Sequence, residues 1–95
     1  MSKAYLIARI RVYDKEGFET FKQMSTPLIS EYGGRLLARN PEVETLEGNQ
    51  EGLVVLLGFE SMDEAWQFYF SDGYTAAKLI REKASEADLI LVEGV

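Results

Sequence analysis

Residues 4–13 read AYLIARIRVY, and the alternation in this stretch decides the fold. In an extended chain Ala4, Leu6, Ala8, Ile10 and Val12 share one side, and Tyr5, Ile7, Arg9, Arg11 and Tyr13 share the other. The first side is wholly apolar, as a strand facing a core requires. The second carries two arginines, so it looks onto something other than that core.

Working outward, Asp14 can cap a helix and Glu16 suits its first turn. Phe18, Phe21, Ser25, Leu28, Ile29 and Tyr32 recur at helical spacing. Pro27 removes one backbone donor and disfavours helix at the residue before it, which predicts a kink or break near Met24 to Thr26. Tyr32-Gly33-Gly34 then stops the helix, because Gly33 can take the left-handed conformation of a helix end. A second strand is predicted over Arg35 to Arg39, continuing past a turn or bulge at Asn40-Pro41 through Val43 to Leu46. Gly48 to Gly52 reads as a hairpin loop, and the apolar run Leu53 to Phe59 as a central strand. Ser61-Met62-Asp63-Glu64 is a capping box that opens a helix rich in aromatic residues. Ser71-Asp72-Gly73 interrupts it, a further helix is predicted from Tyr74 to Ala84, and Asp88 to Glu93 forms a last strand.

The order β-α-β-β-α-(α)-β is the split βαβ arrangement of a ferredoxin-like α+β sandwich. It predicts a four-stranded antiparallel sheet with helices on one face and the other face open. The 95 residues suffice for one domain, spanning residues 1–95. Yet 46% of them are hydrophobic and 12% aromatic, more apolar material than so small a core needs. Self-association and a ligand pocket are two uses for the surplus.

Composition excludes several functions. The net charge is −6 and no basic run exists, so neither nucleic acid nor an anionic membrane is an expected partner. The longest apolar run, Leu53 to Leu57, is too short to span a bilayer. The N-terminal MSKAYLIARIRVYD interrupts its apolar residues with arginines, which does not fit a secretion signal, and a cytoplasmic location is expected. With no cysteine there are no disulfides or thiolate metal sites, and with no histidine there is no Ser-His-Asp or Cys-His catalysis. The usual zinc ligands and the commonest haem ligand are missing as well, so no metal and no cofactor is expected. Acid–base chemistry would have to come from carboxylates, Tyr, Lys or the substrate.

The candidate ligand-binding residues are Arg9, Arg39, Tyr69, Tyr74 and Arg81. Arg9 and Arg11 share the side of the first strand away from the helices. Arg35, Leu37 and Arg39 share a face of the second by the same alternation, and strand register decides whether that face is the open one. Guanidinium groups in an enclosed space want a carboxylate or phosphate. The simpler reading pairs them with Glu42, Glu44, Glu47 or Glu93, or sends them to solvent. Trp66, Phe68, Tyr69, Phe70 and Tyr74 are ordinary core payload, or else the wall of a pocket to which Tyr69 and Tyr74 offer hydroxyls. Arg81 lies two helical turns after Tyr74 and either closes that pocket or, more simply, pairs at the surface. Glu42, Glu44 and Glu47 read as a solvated edge strand rather than a metal site. GNQEG lacks the length and ending of a phosphate-binding loop.

EYGGRLLAR, TLEGN, FYFSDGY followed by AAKLIR, and the ending LILVEGV resemble the domain of unknown function 1330 family nearly end to end. The resemblance implies a ferredoxin-like fold and a homodimer in which two sheets pack face to face as an α/β barrel, its interior being the otherwise open face. Tyr32, Gly33 and Gly34 match the helix-ending motif, Arg39 the arginine that follows, Glu47-Gly48 the turn into the third strand, Ser71 and Tyr74 the break between helices, and Arg81 an arginine of the last helix. Asn40-Pro41 and Asp72-Gly73 depart from the glycine pair and the Pro-Glu pair often found there.

Relatives in the wider dimeric α/β-barrel superfamily suggest a cofactor-independent enzyme, monooxygenase- or isomerase-like, acting on a small aromatic or carboxylated metabolite in the barrel cavity. Arg9 and Arg39 would then hold the anionic group and Tyr69 and Tyr74 would orient it. The alternatives are a non-catalytic small-ligand-binding module and a purely structural homodimer with arginines paired across its interface.

Overall fold

The computed structural model describes residues 2–95. Its elements run β1 (Ala4–Val12), α1 (Lys15–Glu31), β2 (Arg35–Asn40), β3 (Leu53–Phe59), α2 (Met62–Tyr69), α3 (Asp72–Ala84) and β4 (Ser85–Glu93). The strands form one antiparallel sheet in the order β2-β3-β1-β4, which is the ferredoxin-like α+β fold that the element order predicts. Among the described residues no helix is long and apolar enough to cross a membrane.

The alternation of β1 sets the two faces. Ala4, Leu6, Ala8 and Ile10 are buried under the helices. Register carries the pattern sideways: Leu6 lies between Leu57 of β3 and Leu91 of β4, and Ala8 lies between Val55 and Leu89. Over these residues pack Phe18 and Phe21 of α1, Phe68 of α2 and Tyr74 of α3. Their rings form a chain, with centroids 5.3 Å apart for Phe59–Phe68, 4.7 Å for Phe68–Tyr74 and 6.1 Å for Phe21–Tyr74. Tyr5, Ile7, Arg9 and Arg11 project from the opposite face with Val54, Leu56, Ile90 and Val92.

The helix ends follow the local chemistry. Asp14 accepts the Gly17 amide, Ser61 the Glu64 amide, and Ser71 the Tyr74 amide. At Ser61 the Glu64 side chain does not complete a capping box, since its Oε2 is buried without a partner. Helix α1 ends in a Schellman motif. The Gly34 amide bonds the Ile29 carbonyl at 2.7 Å and the Gly33 amide bonds Ser30 at 3.0 Å. Gly33 sits at φ +78, where a side chain is strained, and a Cβ on Gly34 would come within 2.5 Å of the Phe59 ring.

Several expectations are corrected. Helix α1 runs unbroken through Pro27. The carbonyl that proline leaves unbonded belongs to Gln23, which is exposed, so water can satisfy it. Strand β2 stops at Asn40, and the connection 41–52 carries no regular structure. Glu42, Glu44 and Glu47 therefore lie on an exposed loop and not on an edge strand. Helix α3 begins at Asp72, earlier than Tyr74, and β4 begins at Ser85, earlier than Asp88. The irregularity of β2 falls between Leu36 and Ala38 rather than at Asn40-Pro41. That last shift decides which way Arg39 points.

Candidate functional site

Helix α3 buries one stripe: Tyr74, Ala77, Arg81 and Ala84. These positions recur at helical spacing, so an arginine occupies a place that the pattern reserves for core. Arg81 is only 5% exposed and Tyr74 only 4%. The Arg81 Nη1 donates to the Tyr74 hydroxyl oxygen at 2.6 Å. Its guanidinium carbon stands 5.6 Å from the Phe21 ring centre and 5.9 Å from that of Tyr74. The ion pairs among the described residues involve Lys3, Arg9, Arg11 and Lys22, and none reaches Arg81. A buried cation therefore has a neutral phenol and two ring faces for company. The surface pairing favoured for Arg81 on sequence grounds does not occur.

Arg81 and Tyr74 line a cavity between the sheet and the helices. It offers about 40 Å³ to the centres of water molecules. Helix α1 adds Phe21, Lys22 and Ser25, and β2 adds Arg39. Arg39 reaches this side because of the bulge. Leu36 pairs with Leu57 and Ala38 with Leu56, so the intervening Leu37 is extra and the parity of the strand flips. Leu36 and Arg39 then face the helices, while Arg35 stays on the open face opposite Gly58.

Arg9 is elsewhere. It lies on the open face, 3.4 Å from Asp88 and 3.5 Å from Gln50. Arg11 beside it bonds Asp88 at 3.1 Å and Glu86 at 3.3 Å. Arg9 and Arg39 thus occupy opposite faces of the sheet, and one protomer does not hold a single anionic group between them. The partners of Arg9 and Arg11 are Asp88, Glu86 and Gln50, not the glutamates weighed from sequence.

Tyr69 packs its ring 5.4 Å from that of Tyr74 but lies outside the Arg81 cavity. It borders a second hollow of about 250 Å³ with Trp66, Phe70 and Ile90, which opens at the β4 edge. Of the five candidates, the structure gathers Arg39, Tyr74 and Arg81 around one cavity. It sets Tyr69 behind Tyr74 and Arg9 on the far face. Phe21, Lys22 and Ser25 are not among the five candidates, although Phe21 and Ser25 belong to the helical stripe of the sequence. Ser25 carried a signal, since it is a polar residue in an otherwise apolar helical stripe.

The electrostatics of the cavity run to one sign. Lys22, Arg39 and Arg81 line it, and no Asp or Glu does among the described residues, although Lys22 pairs with Glu19 at 3.0 Å beyond the wall and Arg39 is exposed. The chain as a whole carries −6, so this concentration of cations is local. Burial raises the Tyr74 pKa above its ordinary 10.0, opposed in part by the neighbouring Arg81 charge. The phenol thus stays protonated at neutral pH. Since its oxygen accepts from Arg81, its own hydrogen remains free to donate elsewhere.

Solved structures share this fold. The RPA0582 protein of Rhodopseudomonas palustris, of unknown function, aligns with a TM-score of 0.76 at 16% identity, covering 99% of this chain and 83% of its own. SnoaB of Streptomyces nogalater, described as a cofactor-independent oxygenase, aligns at 0.72 with 12% identity over 97% of this chain and 92% of its own. A dimeric ferredoxin-like protein of unknown function from Thermobifida fusca aligns at 0.68 with 14% identity, over 97% and 91%. At such identities the likeness establishes the fold alone. No curated protein matches the chain. The family match is more direct, because it spans residues 3–95 and so takes in every strand and helix that builds the cavity. This chain belongs to the family called domain of unknown function, DUF1330.

Proposed function

We propose that this protein is a homodimeric, cofactor-independent enzyme of the cytoplasm that acts on a small aromatic or carboxylated metabolite between its sheet and its helices. One observation carries the reading: a buried arginine with no carboxylate partner among the described residues, set among aromatic rings in a cavity whose lining also includes the exposed Arg39 and the Glu19-paired Lys22. A buried charge is costly unless it is paired, and an anionic ligand supplies the missing pair. Arg81 and Tyr74 are the contacts proposed for the acidic group, with Arg39 at the same cavity. Phe21 and Phe68 would flank a planar body, and Tyr69 would hold Tyr74 in place. A structural neighbour described as a cofactor-independent oxygenase carries such chemistry on this fold.

A second reading is a binding module without turnover, favoured by the lack of any acidic side chain in the cavity wall. Both readings require the ligand, so calorimetry with small aromatic acids, benzoate first, is the test of either. Wild-type protein should bind. Arg81→Met should weaken binding by roughly 10- to 100-fold, the worth of about 1.5–3 kcal/mol for a charged hydrogen bond. Equal binding by both proteins, or by neither, would sink the ligand reading. Substrate conversion by wild-type protein would then separate enzyme from binder.

A further inference from the structure

Every element around the cavity can be inspected for a group able to take a proton. Helix α1 presents Lys22, β2 presents Arg39, and α3 presents Arg81 and Tyr74. Strands β1, β3 and β4 and helix α2 present apolar groups such as Ala8, Val55, Leu89 and Phe68. Beyond the wall, Tyr69 packs against Tyr74, Lys78 stands 5.2 Å over the Tyr69 ring, and Glu19 is held by Lys22 in an ion pair at 3.0 Å. Histidine is absent from the chain, and no acidic side chain lines the cavity among the described residues. Ammonium and guanidinium groups offer donors and no acceptor, and burial raises the Tyr74 pKa above its ordinary value. The wall contains hydrogen-bond donors and positive charge but no base.

We propose that the cavity takes its ligand as a preformed planar oxyanion, a carboxylate, enolate or phenolate ionised in water before it binds, and rejects the uncharged isostere. This rests on the ligand reading above and narrows it to a charge state. Two donors converge on the anion. The Arg81 guanidinium is a flat fork suited to a flat oxyanion, and the Tyr74 hydroxyl hydrogen is left unused by the Arg81 bond. The rings of Phe21 and Tyr74 pack against the guanidinium and hold its plane in place. The site then works by holding charge in place with preorganised donors, and abstracts no proton itself.

The dye para-nitrophenol tests this, because its neutral form absorbs in the near ultraviolet and its ionised form in the visible. Whole wild-type protein is titrated with it at a pH below the dye's own ionisation, with benzoate as competitor and para-nitroanisole as uncharged isostere. The bound dye is expected to show the phenolate spectrum, its apparent ionisation displaced by at least a factor of ten toward the anion. Benzoate should release it, and para-nitroanisole should bind at least tenfold more weakly. Arg81→Met should abolish the displacement and Arg81→Lys should retain part of it. Should the methionine variant fail to fold, Tyr74→Phe keeps the ring and removes one donor, and it should reverse the displacement in part. A dye bound as the neutral phenol, or nitroanisole binding as tightly, would overturn the charge-state inference and leave the ligand reading standing. Failure of both benzoate and dye to bind would overturn the two together.

Discussion

A guanidinium 5% exposed and bonded, among the described residues, only to a phenol is an expensive residue to keep in a small core. If Arg81 serves a ligand, the empty protein should tolerate its loss. Arg81→Met fills a similar volume without a charge, so the unfolding free energy should stay the same or rise by about 1 kcal/mol in urea titrations. A loss of several kcal/mol would make Arg81 a structural pillar instead. Tyr74 carries a separate prediction, in which the sign follows from burial. Its folded pKa lies above the unfolded value of 10.0, so folding favours the protonated phenol. That contribution is fully present below pH 10.0 and fades as pH rises through the folded pKa. Denaturation of wild type and Tyr74→Phe across alkaline pH should give a constant stability gap below that point. Above it the gap should shift in favour of the phenylalanine variant. The buried role of Arg81 was partly legible, because Tyr74, Ala77 and Ala84 share its stripe. The charge of the side chain argued against its position, and position prevailed.

At the scale of elements, the glycine pair after α1 is written plainly in the sequence because only glycine meets its two demands. Gly33 needs a positive φ, and Gly34 must leave room for the Phe59 ring. Gly33→Ala should cost about 1 kcal/mol in backbone strain. Gly34→Ala should cost about 1–3 kcal/mol through overpacking, the larger loss of the two, and urea midpoints would rank them. The bulge in β2 was not legible. RLLARN contains no glycine or proline to mark it, and plain alternation puts Arg39 with Arg35 on one face. One extra residue reversed this and carried Arg39 to the cavity. The predicted continuation through Val43 to Leu46 failed for want of a partner. β3 begins only at Leu53, after Gly52 turns the chain at φ +90, so nothing lies alongside those residues to complete a ladder. Pro27 leaves the helix unbroken because the carbonyl it orphans belongs to Gln23, an exposed residue that water can reach.

At the scale of the whole molecule, the sheet face away from the helices is the surface that one protomer leaves unfinished. Leu37, Ile90 and Val92 are 47%, 60% and 46% exposed there. Arg9, Arg11, Glu86 and Asp88 form an ion-paired cluster toward the other end of the same face. A face that is half apolar and half charged suits self-association about a two-fold axis, since each patch can meet its own copy or its complement. The proposed homodimer uses this face, and the proposed ligand cavity lies on the other side of the same sheet. The two properties should therefore separate by mutation. Ile90→Asp places a carboxylate in the middle of the apolar half, where burial without a partner costs about 3 kcal/mol, so the dimer dissociation constant should rise on the order of 100-fold. Sedimentation equilibrium would read this directly, with Arg81→Met remaining dimeric at the same concentrations. The charged half should act differently. Removing Arg11 strips two ion pairs from a partly exposed network, and exposed pairs are worth little, so Arg11→Ala should shift the constant less than tenfold. If wild-type protein sediments as a monomer at micromolar concentration, the apolar half is not an interface between copies. If Ile90→Asp and Arg81→Met both dissociate it, the interface and the cavity are one structure, and the separation of roles between the two faces fails.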